Sequence, residues 1–348
     1  MIRSTALFCM ISALLLCLLA PESRAQTLNA SDFRIEWKVV NRFRLFADPG
    51  FFSLHENAWR QYLLHTDGLD MDADQRAAFV ARTSVLGSEH VLNDRRIAFS
   101  DVLRKNFDWR GWAARSEAVL CYDSKSRTHT ACGDIDTYLN PTGHEIERWI
   151  TTASGVGLPA GQECEWRIGG TLVAVEDCAE RVRDPRAVLP YPGGAEISVN
   201  VAGESPILVD AQVRDLLIAG LGDSFASGEG NPNTPVAFSD VRRHRNLYPE
   251  RKTNSVAGSA TWTDELCHRS LYGHQLRAAL QIAIENPKTS VTFLDYSCSG
   301  AGGEDGILGP QVYVSRVSDP VNSAAPGSKL VSGGSRDAQL FRLMRELC

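Results

Sequence analysis

One serine lies in a setting that suits nucleophilic chemistry. Ser224 follows Asp223 within the glycine-rich stretch GLGDSFASGEGNP, residues 220–232. A serine hydroxyl is a weak nucleophile at neutral pH, so it needs a base to take its proton and donors to stabilise the oxyanion that forms. Glycines let backbone N–H groups approach a substrate closely. Gly-Asp-Ser alone is common in loops, so the surrounding sequence must decide between a nucleophile turn and a soluble loop.

The flanking segments predict the elements that position this turn. Residues Leu216 to Leu221 form an apolar run, which is typical of a buried parallel strand. GHQLRAALQIAIEN (273–286) predicts an amphipathic helix, and SVTFLDYSCSGAGG (290–303) predicts another buried strand that enters a glycine-rich turn. This order starts an α/β sheet, in which ligands bind beyond the carboxyl ends of the strands. Ser224 therefore follows a strand where such a sheet carries chemistry. RDAQLFRLMREL (336–347) predicts a further helix.

Three sequence blocks occur in a meaningful order. GDSFASGEGNP is followed by LCHRSLYGHQL (266–276) and then by FLDYSCSGA (293–301). The trio resembles the SGNH (GDSL-type) hydrolases, particularly the secreted lipases and esterases of actinobacterial type. The resemblance covers about Asp215 to Cys348. It implies an α/β fold with a partial flavodoxin-like three-layer hydrolase domain. Independently of the resemblance, the preceding sequence predicts an α+β region and, from short β-rich runs between Gly and Pro turns, a small β-sandwich; the alternative to the sandwich is an irregular extension of the α+β region.

The resemblance also implies roles for individual residues. Ser224 matches the nucleophile, and its own backbone N–H matches one oxyanion donor. Gly300 matches the glycine that supplies a second donor, and Asp223 matches the aspartate that supports the turn. Such an enzyme hydrolyses a carboxylic ester through an acyl-enzyme and needs no cofactor and no metal. Its substrate would be a small-molecule or polymer ester, with acyl lipids, acetylated polysaccharides and small esters all left open.

Two blocks of the family have no counterpart. The chain contains no Asp-x-x-His, which supplies the base, and the nearest approach to Gly-x-Asn-Asp is VLNDRR (91–96), without the glycine. We expect His268 and His274 to have surface or packing roles, so the base is not identified. The other histidines are His55, His65, His90, His129, His144 and His244. We therefore expect this chain to be the N-terminal part of a longer hydrolase. The alternative is a decayed hydrolase without catalysis that acts as an envelope or extracellular binding protein.

The first residues predict export. Arg3 precedes the apolar run ALFCMISALLLCLLA (6–20), and PESRA ends with small residues at the positions that signal peptidase checks. We expect a signal peptide over 1–25 and a secreted or periplasmic protein. The run is shorter than the roughly 20 residues of a membrane span, so no stable membrane anchor is expected. With 348 residues, a net charge of −6 and no long basic run, the chain is globular in type and not a nucleic-acid binder. Nothing in the sequence indicates its oligomeric state.

Cysteine usage agrees with an oxidising compartment. Two of the nine cysteines lie in the predicted signal peptide, and seven remain. Sequence neighbours suggest three disulfides, and the resemblance implies the last of them independently. The pairs are Cys121–Cys132, Cys164–Cys178 and Cys267–Cys298, which leaves Cys348 without a partner. A zinc site is the competing interpretation, but no metal-type cysteine or histidine spacing supports it.

The chain is predicted to divide into three parts after the signal peptide. These are an N-terminal α+β region over 26–145, a β-sandwich over 146–208 and the hydrolase part over 209–348. In the first part, FRIEWKVVNRFRLF (33–46) predicts one or two strands, while FSLHENAWRQYLLH (52–65) and DADQRAAFVARTSVLG (72–87) predict helices.

Local signals refine these assignments. Asp72 or Asp74 is expected to cap the second helix, which should end at Gly87. RSEAVLCYDSKSRTHTACGDIDTYL (115–139) predicts a hairpin, and SDPVNSAAPGSKLVSGGS (318–335) predicts a polar loop.

A long insert lies between the nucleophile block and the next helix. Arg242, Arg243 and Arg245 within it could attract an anionic substrate, although a solvated run of charge is the simpler interpretation.

Overall fold

A computed structural model describes residues 33–93, 111–116, 119–121, 135–152, 158, 160–201, 206–235, 237–238, 256–258, 260–316 and 330–347. Helices and sheets are mixed in these residues, as the sequence predicts for a chain of the α and β class. The predicted signal peptide lies outside the described residues, as do Cys132, Cys348 and the arginines of the insert.

Two antiparallel sheets share one apolar core. One has the order β1-β2-β5 and the other β4-β3-β6-β7. The strands are β1 (Phe33–Val39), β2 (Gly143–Thr152), β3 (Glu163–Ile168), β4 (Thr171–Asp177), β5 (Val182–Pro190), β6 (Ala195–Val201) and β7 (Ile207–Ala211). Alternate residues of β1, β2 and β3 are buried, which is the pattern of a strand with one covered face. Facing sheets around a common core have the packing of a β-sandwich.

The sandwich takes one strand from far earlier in the chain than residue 146. β1 pairs with β2 in register from Phe33 opposite Thr152 to Val39 opposite Ile146. The apolar side chains of β1 are buried among those of both sheets. A half-apolar strand needs such a cover, and the facing sheet supplies it.

Two helices follow β1 and contribute to a second apolar core, separate from that of the two sheets. Helix α1 (Pro49–Asp67) begins after Asp48, whose side chain accepts a hydrogen bond from the Gly50 N–H at 2.7 Å. Helix α2 (Ala73–Asn93) begins with a capping box, because Asp72 accepts from the Gln75 N–H and Gln75 accepts from the Asp72 N–H. Asp72 is therefore the cap, rather than Asp74.

Helix α2 continues past Gly87, where the sequence predicts its end. A Cβ atom at Gly87 would lie 2.5 Å from the Tyr62 ring of α1. The glycine allows the two helices to approach closely, and it does not stop the helix.

The predicted hairpin over 115–139 is wrong at both ends. Helix α3 (Ala113–Ser116) covers its beginning and helix α4 (Ile135–Leu139) covers its end. Tyr138 of α4 is buried, and its hydroxyl donates to the Phe293 carbonyl oxygen at 2.8 Å. Tertiary contact of this kind overrides a local pattern of alternating residues. The central residues 122–134 lie outside the described part.

The predicted parallel pair is present. β8 (Arg214–Gly220) pairs in parallel with β11 (Thr289–Asp295), residue for residue over the whole length of both strands. Helix α6 (His274–Glu285) connects them, preceded by Gly273 and followed by Asn286, and it buries Leu276, Ala279, Leu280, Ala283 and Ile284. Two very short strands, β9 (Ala237–Phe238) and β10 (Val256–Gly258), lie in the insert between β8 and α6.

The two strands of this pair differ in burial. β11 is buried almost throughout, as predicted, whereas β8 is only half-buried and Leu217 is 45% exposed. Within the described residues, β11 is the one strand hydrogen-bonded to β8. The expectation of a fully buried β8 is therefore wrong.

The predicted polar loop over 318–335 contains a strand. β13 (Leu330–Arg336) pairs antiparallel with β12 (Gln311–Arg316), and helix α7 (Gln339–Leu347) follows it. β13 is held by backbone hydrogen bonds to β12. The side chains of a glycine- and serine-rich segment form no pattern from which such pairing could be predicted.

Disulfides Cys164–Cys178 and Cys267–Cys298 confirm two of the predicted pairs. Cys121 is also disulfide-bonded. These bonds are compatible with secretion. Among the described helices, none combines the length and the apolar character needed to cross a membrane.

Candidate active site

Ser224 is the first residue of a short helix that begins beyond the end of β8. Helix α5 (Ser224–Ser227) is capped by Asp223, whose Oδ1 accepts hydrogen bonds from the N–H groups of Phe225 at 3.0 Å and Ala226 at 3.4 Å. The chain enters through Gly222 with φ 136° and leaves through Gly228 with φ 80°. These values favour glycine, so the glycines around Ser224 are needed for the shape of the turn. The Asp223 carboxylate thus supports the turn by accepting hydrogen bonds from backbone N–H groups of α5.

The segment after β11 is fixed against this turn. The Tyr296 N–H donates to the Gly220 carbonyl oxygen at 2.8 Å, and the Cys298 N–H donates to the Gly222 carbonyl oxygen at 3.0 Å. Gly300, with φ 80°, comes two residues later. The structure therefore brings the predicted residues Asp223, Ser224 and Gly300 to the same end of the parallel pair. We call residues 298–301 the oxyanion loop, after the role that the resemblance implies for Gly300.

Helix α7 contributes a residue that sequence reasoning missed. The Gln339 side-chain amide donates to the Gly222 carbonyl oxygen and accepts from the Gly222 N–H, both at 2.8 Å. Gln339 is buried. This paired contact imitates a strand neighbour and holds the glycine that precedes Asp223.

A polar cluster that the sequence did not predict lies beside the oxyanion loop. Glu229 accepts a hydrogen bond from the Ser299 hydroxyl, and its other carboxylate oxygen lies 3.0 Å from Nδ1 of His268. The Trp262 ring packs on the His268 ring with 4.4 Å between centroids, and the Trp262 indole N–H donates to the Glu229 carbonyl oxygen at 3.2 Å. We call Glu229, His268 and Ser299, with Trp262, the Glu229 cluster. One indication of this cluster is present in the sequence. Glu229, His268 and Ser299 each lie in a different one of the three blocks of the resemblance.

A buried carboxylate holds the CHRS segment. Asp264 accepts hydrogen bonds from the N–H groups of Leu266 at 2.9 Å and Cys267 at 3.0 Å. Its carboxylate lies 3.7 Å from the Arg269 guanidinium and 3.1 Å from that of Arg336. Burial opposes ionisation, but the charge of Arg269, the Cys267 N–H and Arg336 outweigh it and lower the pKa of Asp264 to about 2. Asp264 therefore stays ionised and ties β13 to the residues around Cys267.

A second carboxylate lies beneath the turn. Asp295 ends β11 opposite Gly220, and burial raises its pKa, with Arg269 and the hydrogen bonds from Ser297 acting in the other direction. It lines a largely apolar pocket between β11 and α6, together with Leu45, Leu120, Leu276 and Phe293. Ser224 is not among the residues that line this pocket. Asp295 therefore lines a buried pocket behind the turn, and Ser224 does not contribute to that pocket.

The described histidines do not provide an obvious base. Within the described part of the chain, the Ser224 hydroxyl has no hydrogen-bond partner, histidine or other. His55 is buried in an aromatic cluster, where burial and the charge of Arg277 hold its pKa well below 6.5. His144 lies 3.4 Å from Asp215, and the His274 ring lies against exposed Phe225.

The described residues also contain no group of three or more His, Cys, Asp or Glu side chains arranged to hold a metal ion.

No family of known proteins, no curated protein and no solved structure matches this chain. The case for function therefore depends on the geometry of the turn and on the resemblance of its three sequence blocks.

Proposed function

We propose that this protein is a secreted serine hydrolase of the SGNH type that cleaves carboxylic esters through an acyl-enzyme on Ser224. The observation that carries the proposal is the position of Ser224 at the start of α5, directly after a strand of a parallel pair. A flavodoxin-like arrangement of the surrounding domain belongs to the same proposal. The proposed substrate is a small-molecule or polymer ester, and no cofactor is needed for this chemistry.

The turn favours attack by the Ser224 hydroxyl in two ways. As the first residue of a helix, Ser224 has a backbone N–H that makes no intrahelical hydrogen bond, which leaves it available to an oxyanion. The backbone bond from Cys298 to Gly222 holds the oxyanion loop, and with it the Gly300 N–H, close to the same turn. These are the two donors that the resemblance implies.

In the proposed reaction, the Ser224 oxygen attacks the ester carbonyl carbon and the carbonyl oxygen becomes an oxyanion held by the two N–H groups. Collapse of this intermediate releases the alcohol and leaves the acyl group on Ser224. Water then attacks the acyl-enzyme and releases the acid. A base that we do not assign to a described residue takes the proton of the Ser224 hydroxyl and gives it to the leaving alcohol; in the second step it takes a proton from water and returns it to Ser224.

The test is covalent labelling of the full-length protein, including any sequence beyond Cys348, with a fluorophosphonate, followed by peptide mass spectrometry. We expect the label on Ser224 and its complete loss in Ser224→Ala. Ser53→Ala is the matched control, because Ser53 lies on α1 and its hydroxyl contacts the Pro49 carbonyl oxygen, remote in sequence from the turn. Hydrolysis of a p-nitrophenyl ester is measured in parallel. A full-length protein that folds but takes no label on Ser224 would contradict the proposal and favour a non-catalytic binding protein.

A further inference from the structure

The residue after the nucleophile helix reaches across to the oxyanion loop. Glu229 follows Gly228, the C-cap of α5, and the Glu229 N–H donates to the Ser224 carbonyl oxygen at 3.1 Å. Its backbone is therefore part of the nucleophile turn. Its carboxylate is bound to the Ser299 hydroxyl, one residue before Gly300.

Two segments linked by a disulfide converge on this carboxylate. Cys267 and Cys298 are bonded to each other, and the Ser299 N–H donates to the Cys267 carbonyl oxygen at 3.0 Å. The residues that follow the two cysteines are His268 and Ser299, and both bind Glu229. One side chain therefore connects the nucleophile turn, the CHRS segment and the oxyanion loop.

His268, which contacts Glu229, has an uncommon backbone conformation. Its φ of 49° is in the left-handed region, which is uncommon for residues other than glycine. Such conformations persist where the surrounding structure enforces them, and they concentrate at functional sites. The Trp262 ring covers the His268 ring and also contacts Glu229 through its indole N–H.

A carboxylate suits this position because it has two oxygens that accept hydrogen bonds without donating any. One oxygen binds the Ser299 hydroxyl and the other lies 3.0 Å from Nδ1 of His268, so both oxygens have a partner. Oxyanion donors accelerate a reaction when they are held in place before charge develops. A clamp next to Gly300 has this effect without touching the substrate.

We propose that Glu229 is a positioning residue that holds the oxyanion loop against the nucleophile turn through Ser299, with His268 as its second partner. The inference depends on the proposed function, because it concerns the stabilisation of an oxyanion formed at Ser224. It predicts that Glu229 and Ser299 act on the bond-forming step and not on binding of the reagent.

The experiment measures fluorophosphonate labelling of Ser224 as a function of reagent concentration, which separates the maximal rate from the half-saturating concentration. Removing one direct oxyanion donor slows catalysis about 10²- to 10³-fold. Loss of the clamp should cost less, so we expect Glu229→Ala, which removes the acceptor of the Ser299 hydroxyl, and Ser299→Ala to lower the maximal rate on the order of ten-fold, with little change in half-saturation. Ser299→Thr keeps the hydroxyl and should recover most of the rate.

The control is Glu304→Gln, which removes an exposed carboxylate four residues after Gly300. It should label at the rate of the unmodified chain, and circular dichroism should show that all variants fold. If both residues act through one contact, the double variant Glu229→Ala/Ser299→Ala should be no slower than the slower single variant.

Several results would overturn the clamp. These are an unchanged rate in Ser299→Ala, a Ser299→Thr variant as slow as Ser299→Ala, and single effects that multiply in the double variant. A pure change in half-saturation would overturn it as well. Labelling of Ser224 in the unmodified chain together with any of these results leaves the proposed function standing, whereas absence of that label rejects both.

Discussion

Replacing Asp264 by asparagine should reveal the contribution of a buried charge to the stability of the site. Asp264 is almost fully buried, and its two cationic partners, Arg269 and Arg336, are themselves 4% and 18% exposed at the side chain. Asparagine keeps the size of the side chain and an oxygen that can accept from the Leu266 and Cys267 N–H groups. The substitution removes the charge and puts an NH2 group, which cannot accept hydrogen bonds, in place of the oxygen that faces the two guanidinium groups.

The magnitude follows from the pKa of Asp264. The folded protein lowers this pKa from 3.8 to about 2, and each pH unit of difference corresponds to about 1.4 kcal/mol. The ionised carboxylate thus contributes about 2 kcal/mol to the free energy of unfolding at neutral pH. Breaking a buried ion pair on one side costs about 3–5 kcal/mol, because the remaining charge is left uncompensated. We expect Asp264→Asn to lower the free energy of unfolding at pH 7 by about 2 to 5 kcal/mol.

The loss should depend on pH in a defined direction. A carboxylate with a lowered folded pKa stabilises the protein above its unfolded pKa, and that contribution disappears as the pH falls through the folded pKa. The window here runs from about pH 4 to about pH 2. At pH 3 about half of the contribution remains, so the difference between the two proteins should shrink by about 1 kcal/mol.

Urea unfolding at pH 7, 5, 4 and 3 measures this difference. Asp184→Asn is the control, because a hydrogen bond from Arg186 also lowers the pKa of Asp184 to about 2, while the Arg186 side chain is 74% exposed. Solvent and salt screen that pair, so its removal should matter much less. Equal losses in both variants, or a loss in Asp264→Asn that stays constant from pH 7 to pH 3, would refute the reasoning.

Two further substitutions test the turn and its covalent support. Removing the Cys267–Cys298 disulfide by a double alanine substitution should lower the free energy of unfolding by about 4 kcal/mol, because the bond closes a loop with a sequence separation of 31 residues; a loss under about 1 kcal/mol in denaturant unfolding would contradict this. Gly222→Ala should slow labelling of Ser224, since Gly222 has φ 136° and its new Cβ would lie 2.7 Å from that of Ala226. Gly230→Ala, whose Cβ would meet nothing within 4 Å, is the control, and equal labelling rates in the two glycine variants would disprove the steric argument.

Several parts of the fold could be predicted because short patterns determine them. The apolar run before Ser224 and the run in β11 predicted two parallel strands, and the 3.6-residue period of 273–286 predicted the helix between them. Cysteines that are neighbours in sequence predicted the pairs 164–178 and 267–298. The resemblance of three blocks directed attention to Ser224, Asp223 and Gly300, and the structure brings them to one end of the strands.

Other expectations failed where distant residues decide the outcome. The segment 115–139 alternates like a hairpin, yet its ends are helical and Tyr138 is buried against β11. Leu217 has the sequence environment of a buried strand but is exposed, because burial depends on which elements cover β8.

By itself the sequence determined the order of strands and helices around Ser224, the disulfides that link neighbouring cysteines, and the glycines that a tight turn requires. Only the tertiary structure decided which side chains meet at that turn. Glu229 meets Ser299 across 70 positions, Gly222 meets Gln339 across 117, and Asp264 meets Arg336 across 72. Hydrogen bonds and ion pairs depend on distances of a few ångströms in space. Separation along the chain does not encode such distances until the strands have paired and the core has packed.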